Sequence, residues 1–332
     1  MAQAKPKSKS KPKTKAKAKA KPAAGKTSQL AALKKKYGAR GIEQGLRLNP
    51  ADFLDMLKWR DELDPHYAKL WLEYTYNGLY KRGVLTERAR LLVAISQAVA
   101  MDEMEVVESH IKSALAHKVN VREILEVLLQ ITVYLGTPKI TRAVRVFKKL
   151  VAKAGLMKEI TSTQLPLDGM TKSRDLEKER PTWRVPDSKF PQREALMQKY
   201  GWHGLSAGLR LQPTHHAETA IQFDRLDQNY LKLWLDFIYA GMYVRGILDD
   251  KTRLLCMVGV CAVLDEQIQG DNHQRAALML GASPREVLEV LWHSTIYAGM
   301  PRSLRAVRQF DRILNELGRA HEVYDTQMPV KI

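Results

Sequence analysis

Histidines in apolar helical contexts are the residues of this chain best suited to move protons near neutral pH. His110 and His273 lie 163 positions apart, and each follows a glutamate by seven residues, Glu103 and Glu266. Two helical turns separate such a pair by about 10 Å, so the two residues share a helix face without touching. A histidine on a half-apolar helix is often structural, so both a catalytic and a structural interpretation stay open.

A third histidine distinguishes the two halves of the chain. His293 lies in the apolar run VLEVLWHSTIYAGMP, and the matching run of the first half, ILEVLLQITVYLGTP, has Gln130 at that position. An unpaired imidazole in such a helix costs about 1–3 kcal/mol, so His293 needs a partner or a chemical role. Glutamine can hydrogen-bond but cannot exchange a proton near neutral pH. The sequence therefore predicts that acid–base chemistry resides in the second half.

Two arginine pairs could bind a substrate carboxylate through paired donors. Arg90 and Arg253 occupy matching positions, as do Arg82 and Arg245. The alternative for Arg82 and Arg245 is structural, because a cation in the last turn of a helix stabilises the helix dipole.

The sequence lacks the residue patterns of redox, metal-dependent and phosphate-binding sites. Cys256 and Cys261 are five positions apart, which is neither a CxxC redox pair nor a metal-binding set, and core packing is the expected role. The chain has no glycine-rich phosphate loop, no nucleophile elbow and no cluster with metal-ligand spacing. We therefore expect neither a metal nor an organic cofactor.

The elements that carry these residues are duplicated. With a shift of 163 positions, residues 30–155 align with residues 193–318 without an insertion, and GLRLNP at 45–50 meets GLRLQP at 208–213. Each unit has helical signals and little sign of strands: Asp64-Pro65 is a helix start, and so is the serine-capped run SPRE at 283–286. The predicted fold is all-α, a tandem duplication of one helical unit.

Three segments lie outside the two units. Residues 1–28 carry ten lysines and no acid, so without them the net charge falls from +18 to +8, and this Lys/Pro/Ala tail is predicted to be disordered. Residues 156–192, rich in proline and charge, are predicted to be a linker, and residues 319–332 a C-terminal tail. No apolar run approaches the roughly 18–20 residues that cross a bilayer, and no secretory signal begins the chain, so we expect a cytoplasmic protein.

The second half resembles the carboxymuconolactone decarboxylase superfamily. The segments YVRGILDDKTRLL (243–255) and NHQRAALMLGASPREVLEVLWHSTIYAGMP (272–301) follow the family pattern, although Gly246-Ile247 and Tyr243 depart from it. The resemblance implies a decarboxylase-like lyase, or a related isomerase or hydrolase, in aromatic compound catabolism. It would act without a cofactor on a small carboxylated lactone or ring-cleavage product. His273, His293 and Tyr297 would then be catalytic and Arg245 and Arg253 would bind substrate. The first-unit counterparts are predicted to be degenerate: His110, Arg82, Arg90 and Tyr134.

The alkylhydroperoxidase-D-like branch of the same superfamily carries CxxC before its histidine. Glu103 and Val106 stand at the two cysteine positions in the first half, and Glu266 and Gln269 in the second. Thiol–disulfide exchange needs a thiolate, so peroxidase chemistry is disfavoured. Because single-unit members of the superfamily form hexamers and two-unit members form trimers, the resemblance also implies a homotrimer.

Two further functions stay open at this point. The chain could be a non-catalytic descendant that binds a small molecule, since Gln130 shows that one half has lost a histidine. Alternatively, residues 1–28 could contact nucleic acid or an anionic membrane surface through salt-sensitive contacts.

Overall fold

The computed structural model describes residues 24–166, 190–212 and 215–327, and these ranges contain helices and no β-strand. The predicted all-α class is therefore confirmed. Within the described ranges, no helix is both long enough and apolar enough to span a membrane.

The first unit consists of short helices that lead into one long helix. Asp64 caps α4 by accepting a hydrogen bond from the Tyr67 amide, with Pro65 at the first helical position. A π-helical turn and a 3-10 turn follow α4 directly and carry Tyr80 beside α5. The helices are α1 Ala24–Tyr37, α2 Ala39–Leu48, α3 Phe53–Leu63, α4 Pro65–Leu72, the π turn Glu73–Gly78, the 3-10 turn Leu79–Lys81, α5 Glu87–Ala100, α6 Met104–Ala116, α7 Val121–Gln130, α8 Thr132–Lys153 and α9 Met157–Ser162.

The second unit repeats these elements about 163 positions later. Ser283 and Glu286 form the predicted capping box at the start of its longest helix. The helices are α10 Arg193–Tyr200, α11 Trp202–Leu211, α12 His216–Leu226, α13 Gln228–Trp234, the π turn Leu235–Tyr239, the 3-10 turn Met242–Val244, α14 Asp250–Leu264, α15 Gln267–Met279, α16 Pro284–Glu316 and α17 His321–Tyr324.

Matching glycines kink the two long helices. Gly136 in α8 and Gly299 in α16 have φ values of 71° and 76°, each two residues before a proline. Only glycine adopts such φ values without steric cost, and the proline cannot continue the hydrogen-bond ladder. The kink separates the site-bearing first part of each helix from the part that follows.

The two units interlock and share one core. Helices α5 and α14 pack against each other at its centre, α16 packs on both, and α7 of the first unit touches the 3-10 turn Met242–Val244 of the second. The N-terminal elements of the first unit form a smaller core around Phe53 and Leu72. Side chains of one unit therefore reach into the other.

Some of the described helices lie inside the three segments that were predicted to flank or link the two units. Helix α1 begins at Ala24, inside the segment 1–28 that was predicted to be disordered, and residues 1–23 lie outside the described residues. Helix α9, Met157–Ser162, occupies the start of the predicted linker, whose residues 167–189 are also outside the description. The predicted C-terminal tail contains the short helix α17, His321–Tyr324.

Candidate active site

Two symmetry-related clusters of polar side chains lie where the units interlock, and each draws on both units. Site 1 consists of Tyr80, Arg82, Arg90 and His110 from the first unit with Glu289, His293 and Tyr297 from the second. Site 2 consists of the counterparts, Tyr243, Arg245, Arg253 and His273 with Glu126, Gln130 and Tyr134.

A buried carboxylate organises one side of site 1. Glu289 is 2% exposed, accepts a hydrogen bond from Arg82 Nε at 2.8 Å, and lies 3.3 Å from His293 Nε2, one helical turn further along α16. Burial alone would raise the pKa of Glu289, but the close contact and charge of His293, together with the hydrogen bond and charge of Arg82, outweigh it, so the pKa is below its usual value. Glu289 is therefore ionised at neutral pH and can balance a proton on His293.

Tyr80 connects the imidazole to the arginine. Its ring stands perpendicular to that of His293, with centroids 5.5 Å apart, and the Arg90 guanidinium lies 4.8 Å from the Tyr80 ring centre. Arg90 also donates to Glu87 at 2.7 Å, which fixes one edge of the guanidinium. Arg90 thereby reaches the same space as His293 while remaining only 5% exposed.

A hydroxyl pair leads from Tyr80 to the second imidazole of site 1. The hydroxyls of Tyr80 and Tyr297 are 3.3 Å apart, and the Tyr297 hydroxyl lies 2.8 Å from His110 Nε2. Burial, together with the charge of Arg90, lowers the pKa of His110 to about 4. The unprotonated Nε2 of a neutral imidazole accepts a hydrogen bond, so the Tyr297 hydroxyl can donate one to His110.

Two cavities open onto site 1, and Tyr80 lines both. The smaller one, about 200 Å³, is lined by Arg90, Glu289 and His293. The larger one is a groove of about 820 Å³ that is lined by His110 and Tyr297. The Nε2 atom of His293 makes no hydrogen bond with the described residues, although the side chain is only 3% exposed. A molecule in the small cavity could therefore take a proton from it or give one to it.

Site 2 has the same arrangement of side chains, except that Gln130 stands at the position of His293. Gln130 Oε1 accepts a hydrogen bond from Arg253 at 2.8 Å, and Arg245 Nε pairs with Glu126 at 2.9 Å. His273 Nε2 is hydrogen-bonded to the Tyr134 hydroxyl, as His110 is to Tyr297. In site 1 Arg90 pairs with Glu87 at the start of its own helix, whereas in site 2 the matching Arg253 donates to Gln130, the residue at the position of His293.

The counterparts in site 2 are also more deeply buried. Arg253 and Tyr243 are each 1% exposed and His273 is fully buried, whereas Tyr80 and His110 of site 1 are only partly buried. Burial lowers the pKa of His273 to about 3. Site 2 therefore has the composition and burial of a structural cluster.

Comparison with known proteins agrees with this duplicated architecture. A sequence model of the carboxymuconolactone decarboxylase family matches residues 65–149 and again residues 228–312, together about half of the chain. The chain belongs to this family. Over 105 residues it is 28% identical to the 4-carboxymuconolactone decarboxylase of Acinetobacter baylyi, an alignment that covers 32% of this chain and 76% of the relative.

The structure groups the predicted residues of this family member differently from the sequence-based expectation. His273 and His293 were expected to converge on one pocket of the second half. Instead, His293 lies beside Tyr80, and His273 is bonded to Tyr134 in the other cluster. The reason is the interlocking of the units. It places the first part of α16 against the 3-10 turn of the first unit, and the first part of α8 against the 3-10 turn of the second unit.

The interlocking also means that the predicted residues of the second half and their first-half counterparts are distributed over both sites. Arg82, Arg90 and His110 of the first unit stand with His293 and Tyr297 in site 1. The other predicted residues, Arg245, Arg253 and Tyr134, stand with His273 in site 2. Each site therefore combines side chains of the two halves.

Sequence reasoning assigned no role to the two glutamates that pair with the arginines or to Tyr80. Glu289 precedes His293 by four residues, and Glu126 precedes Gln130 by four, so each glutamate lies on the same face of its apolar helix as that residue. A charged residue on the buried face of such a helix needs a partner, and this was the signal that could have identified both glutamates. In the described ranges, no group of three or more His, Cys, Asp or Glu residues is arranged to hold a metal ion.

Proposed function

We propose that this protein is a cofactor-free carboxy-lyase that acts on a small carboxylated lactone or a related ring-cleavage product at site 1. The observation that carries the proposal is the position of His293. Its Nε2 is buried without a hydrogen bond, lines the small cavity with Arg90, and has the ionised Glu289 3.3 Å away. Membership of the family and the similarity to a 4-carboxymuconolactone decarboxylase support the reaction class.

The chemistry requires a place for a carboxylate, a place for negative charge and a proton donor. Arg90 binds the substrate carboxylate until the bond between the ring carbon and that group breaks. Carbon dioxide leaves, and the electron pair moves into the conjugated carbonyl, whose oxygen accepts a hydrogen bond from the Tyr80 hydroxyl. Protonated His293 then gives its proton to the ring carbon and recovers one from water, while Glu289 balances the charge of the imidazolium.

The test is a decarboxylation assay with 4-carboxymuconolactone and the His293→Gln variant. Glutamine is the residue that site 2 already carries, so the substitution suits the fold. Losing a general acid should lower kcat about 10²–10⁴-fold with a smaller change in KM.

The matched control is His273→Gln, which alters the equivalent of His110 in site 2. Turnover should stay within about twofold of the wild type, because site 2 lacks the imidazole at Gln130 and its arginine is already bound. Undiminished turnover in His293→Gln, or equal losses in both variants, would refute the assignment to site 1.

We further propose that site 2 is a non-catalytic cluster. The contacts of Arg253 favour this alternative for that site, because Arg253 is 1% exposed, donates to Gln130 at 2.8 Å and lies 3.8 Å from the buried Glu126. Peroxidase chemistry stays disfavoured, since burial raises the pKa of both thiols and holds Cys256 and Cys261 in the protonated form.

The protein is also proposed to assemble as a homotrimer. Leucines at matching positions are exposed in both units: Leu63 and Leu226 by 79% and 67%, and Leu70 and Leu233 by 54% and 58%. Exposed apolar residues at matching positions of both units are typical of a surface that contacts another copy of the chain.

A further inference from the structure

The groove beside site 1 is much larger than a lone lactone ring requires. At about 820 Å³ it has roughly four times the volume of the small cavity that holds His293 and Arg90. Cavities of that size hold ligands as large as drug molecules. The two cavities share Tyr80, so one molecule could occupy both.

A continuous row of rings forms one wall of the groove and ends at His293. The Trp71 and Tyr76 ring centroids are 5.2 Å apart, Tyr76 and Tyr80 are 5.6 Å apart, and Tyr80 and His293 are 5.5 Å apart. The three rings before His293 also line the groove. Aromatic side chains bind flat conjugated or apolar groups through offset and edge-to-face contacts.

The other end of this row is Arg60, a cation that has no acidic partner among the described residues. The Arg60 guanidinium lies 4.2 Å from the Trp71 ring centre and 4.1 Å from that of Trp59. Its Nη1 donates to the Met56 carbonyl, the Tyr67 side chain is a further polar neighbour, its Nε is buried without a hydrogen bond, and no carboxylate of the described residues lies within ion-pair distance. A guanidinium held between two rings presents its remaining donors in a fixed geometry.

The acidic residues of the groove lie elsewhere along it. Lys112 contacts Asp52 at 3.3 Å and Glu108 at 3.1 Å, so those two carboxylates have a partner. Glu103 and Glu105 are exposed at the start of α6. Of the two cations among the described residues that line the groove, Lys112 is paired with carboxylates and Arg60 is not.

The second unit does not repeat this feature. At the position of Arg60 it has Phe223, which packs against Trp234 with ring centroids 5.3 Å apart. An aromatic residue therefore fits beside the equivalent tryptophan, so the core does not require an arginine there. The charge is specific to the groove that opens onto site 1.

We propose that site 1 takes a substrate longer than a lone carboxylated lactone: its reacting, carboxylated end lies in the small cavity, a conjugated or aromatic body lies along Trp71, Tyr76 and Tyr80, and an anionic oxygen group at the far end binds Arg60. This inference rests on the proposed function for its reacting end. The binding of the far end does not depend on turnover and is tested separately.

The test compares two non-reacting probes by isothermal titration of the full chain: a linear biphenyl dicarboxylate and the corresponding monocarboxylate. One charge-assisted hydrogen-bonded contact with Arg60 should make the dicarboxylate bind about tenfold tighter. Arg60→Gln should remove that difference and leave the affinity for the monocarboxylate unchanged, whereas Arg60→Lys should keep part of it.

The matched control is Lys58→Gln on the same helix, which removes the same charge from a side chain that is 62% exposed. It should preserve the tenfold preference, since distant surface charges are screened by salt. Each variant is compared with the wild type by thermal unfolding, so that only folded proteins are titrated.

Three results would overturn the inference: equal affinities of the wild type for both probes, a preference that survives Arg60→Gln, or the same loss in Lys58→Gln. The proposed function fails independently, if the wild type and His293→Gln turn over the lactone equally. Arg60-dependent binding without decarboxylation would therefore leave the groove assignment standing, and decarboxylation without a preference would remove the groove assignment alone.

Discussion

Replacing His216 with phenylalanine is expected to stabilise the protein and to make it less sensitive to acid. His216 is fully buried in the second unit, and neither ring nitrogen makes a hydrogen bond with the described residues. Burial lowers its pKa to about 3. The imidazole thus resembles a small aromatic ring that carries two unsatisfied polar atoms.

The first unit shows that phenylalanine fits this environment. Phe53 occupies the equivalent place, stacked on Trp71 at 6.1 Å and 19°, while His216 stacks on Trp234 at 5.2 Å and 16°. Gly45 provides the necessary room: a Cβ added to it would lie 2.0 Å from the Phe53 ring, and one added to the matching glycine of the second unit would lie 2.0 Å from His216. The two glycines allow the same close approach.

The magnitude follows from the two polar atoms and the proton. Removing an unsatisfied buried polar group recovers about 1–3 kcal/mol at neutral pH. Because the folded pKa of His216 is below the unfolded value of about 6.5, only the unfolded chain takes up the proton as pH falls through 6.5. The wild type therefore loses about 1.4 kcal/mol through this residue between about pH 7.5 and pH 5.5, and His216→Phe does not.

The assay is urea unfolding of both proteins at one protein concentration and at both pH values. His110 and His273 titrate in the same direction in both proteins, so the difference in free energy of unfolding isolates His216. The reverse substitution, Phe53→His, should destabilise by a similar amount. A variant no more stable than the wild type at neutral pH, or an advantage that does not grow on acidification, would refute the reasoning.

Further outcomes are expected from the site, the surface and the thiols. Glu289→Gln should lower kcat roughly 10–100-fold by removing the carboxylate that balances the imidazolium, and unchanged kinetics would separate Glu289 from the reaction. Sedimentation should give three times the 37.8 kDa chain mass, and a double variant with Leu70→Glu and Leu233→Glu should give less, whereas an unaltered mass would place the interface elsewhere. Burial raises the pKa of Cys256 to about 12 and that of Cys261 further, so a disulfide reagent at about pH 8 should label neither thiol until urea is added.

Local signals in the sequence were sufficient for the helical architecture. The shift of 163 positions predicted two equivalent units, and the helices follow that shift. Asp64-Pro65 and the run at 283–286 marked helix starts that the structure has at Pro65 and Pro284. Caps act on their own helix, so their effect can be read without knowing the packing partners.

Only the tertiary structure decided which residues meet. The sequence identified His110, His273, His293 and the arginines as polar residues in apolar helices, but a helical period specifies a face and not the element that the face contacts. A gapless repeat is equally compatible with sites inside each unit and with sites shared between units. The interlocking of α7, α8 and α16 with the opposite unit brings His293 to Arg90 and leaves His273 with Gln130, because burying these apolar helices across the unit boundary forms one continuous core.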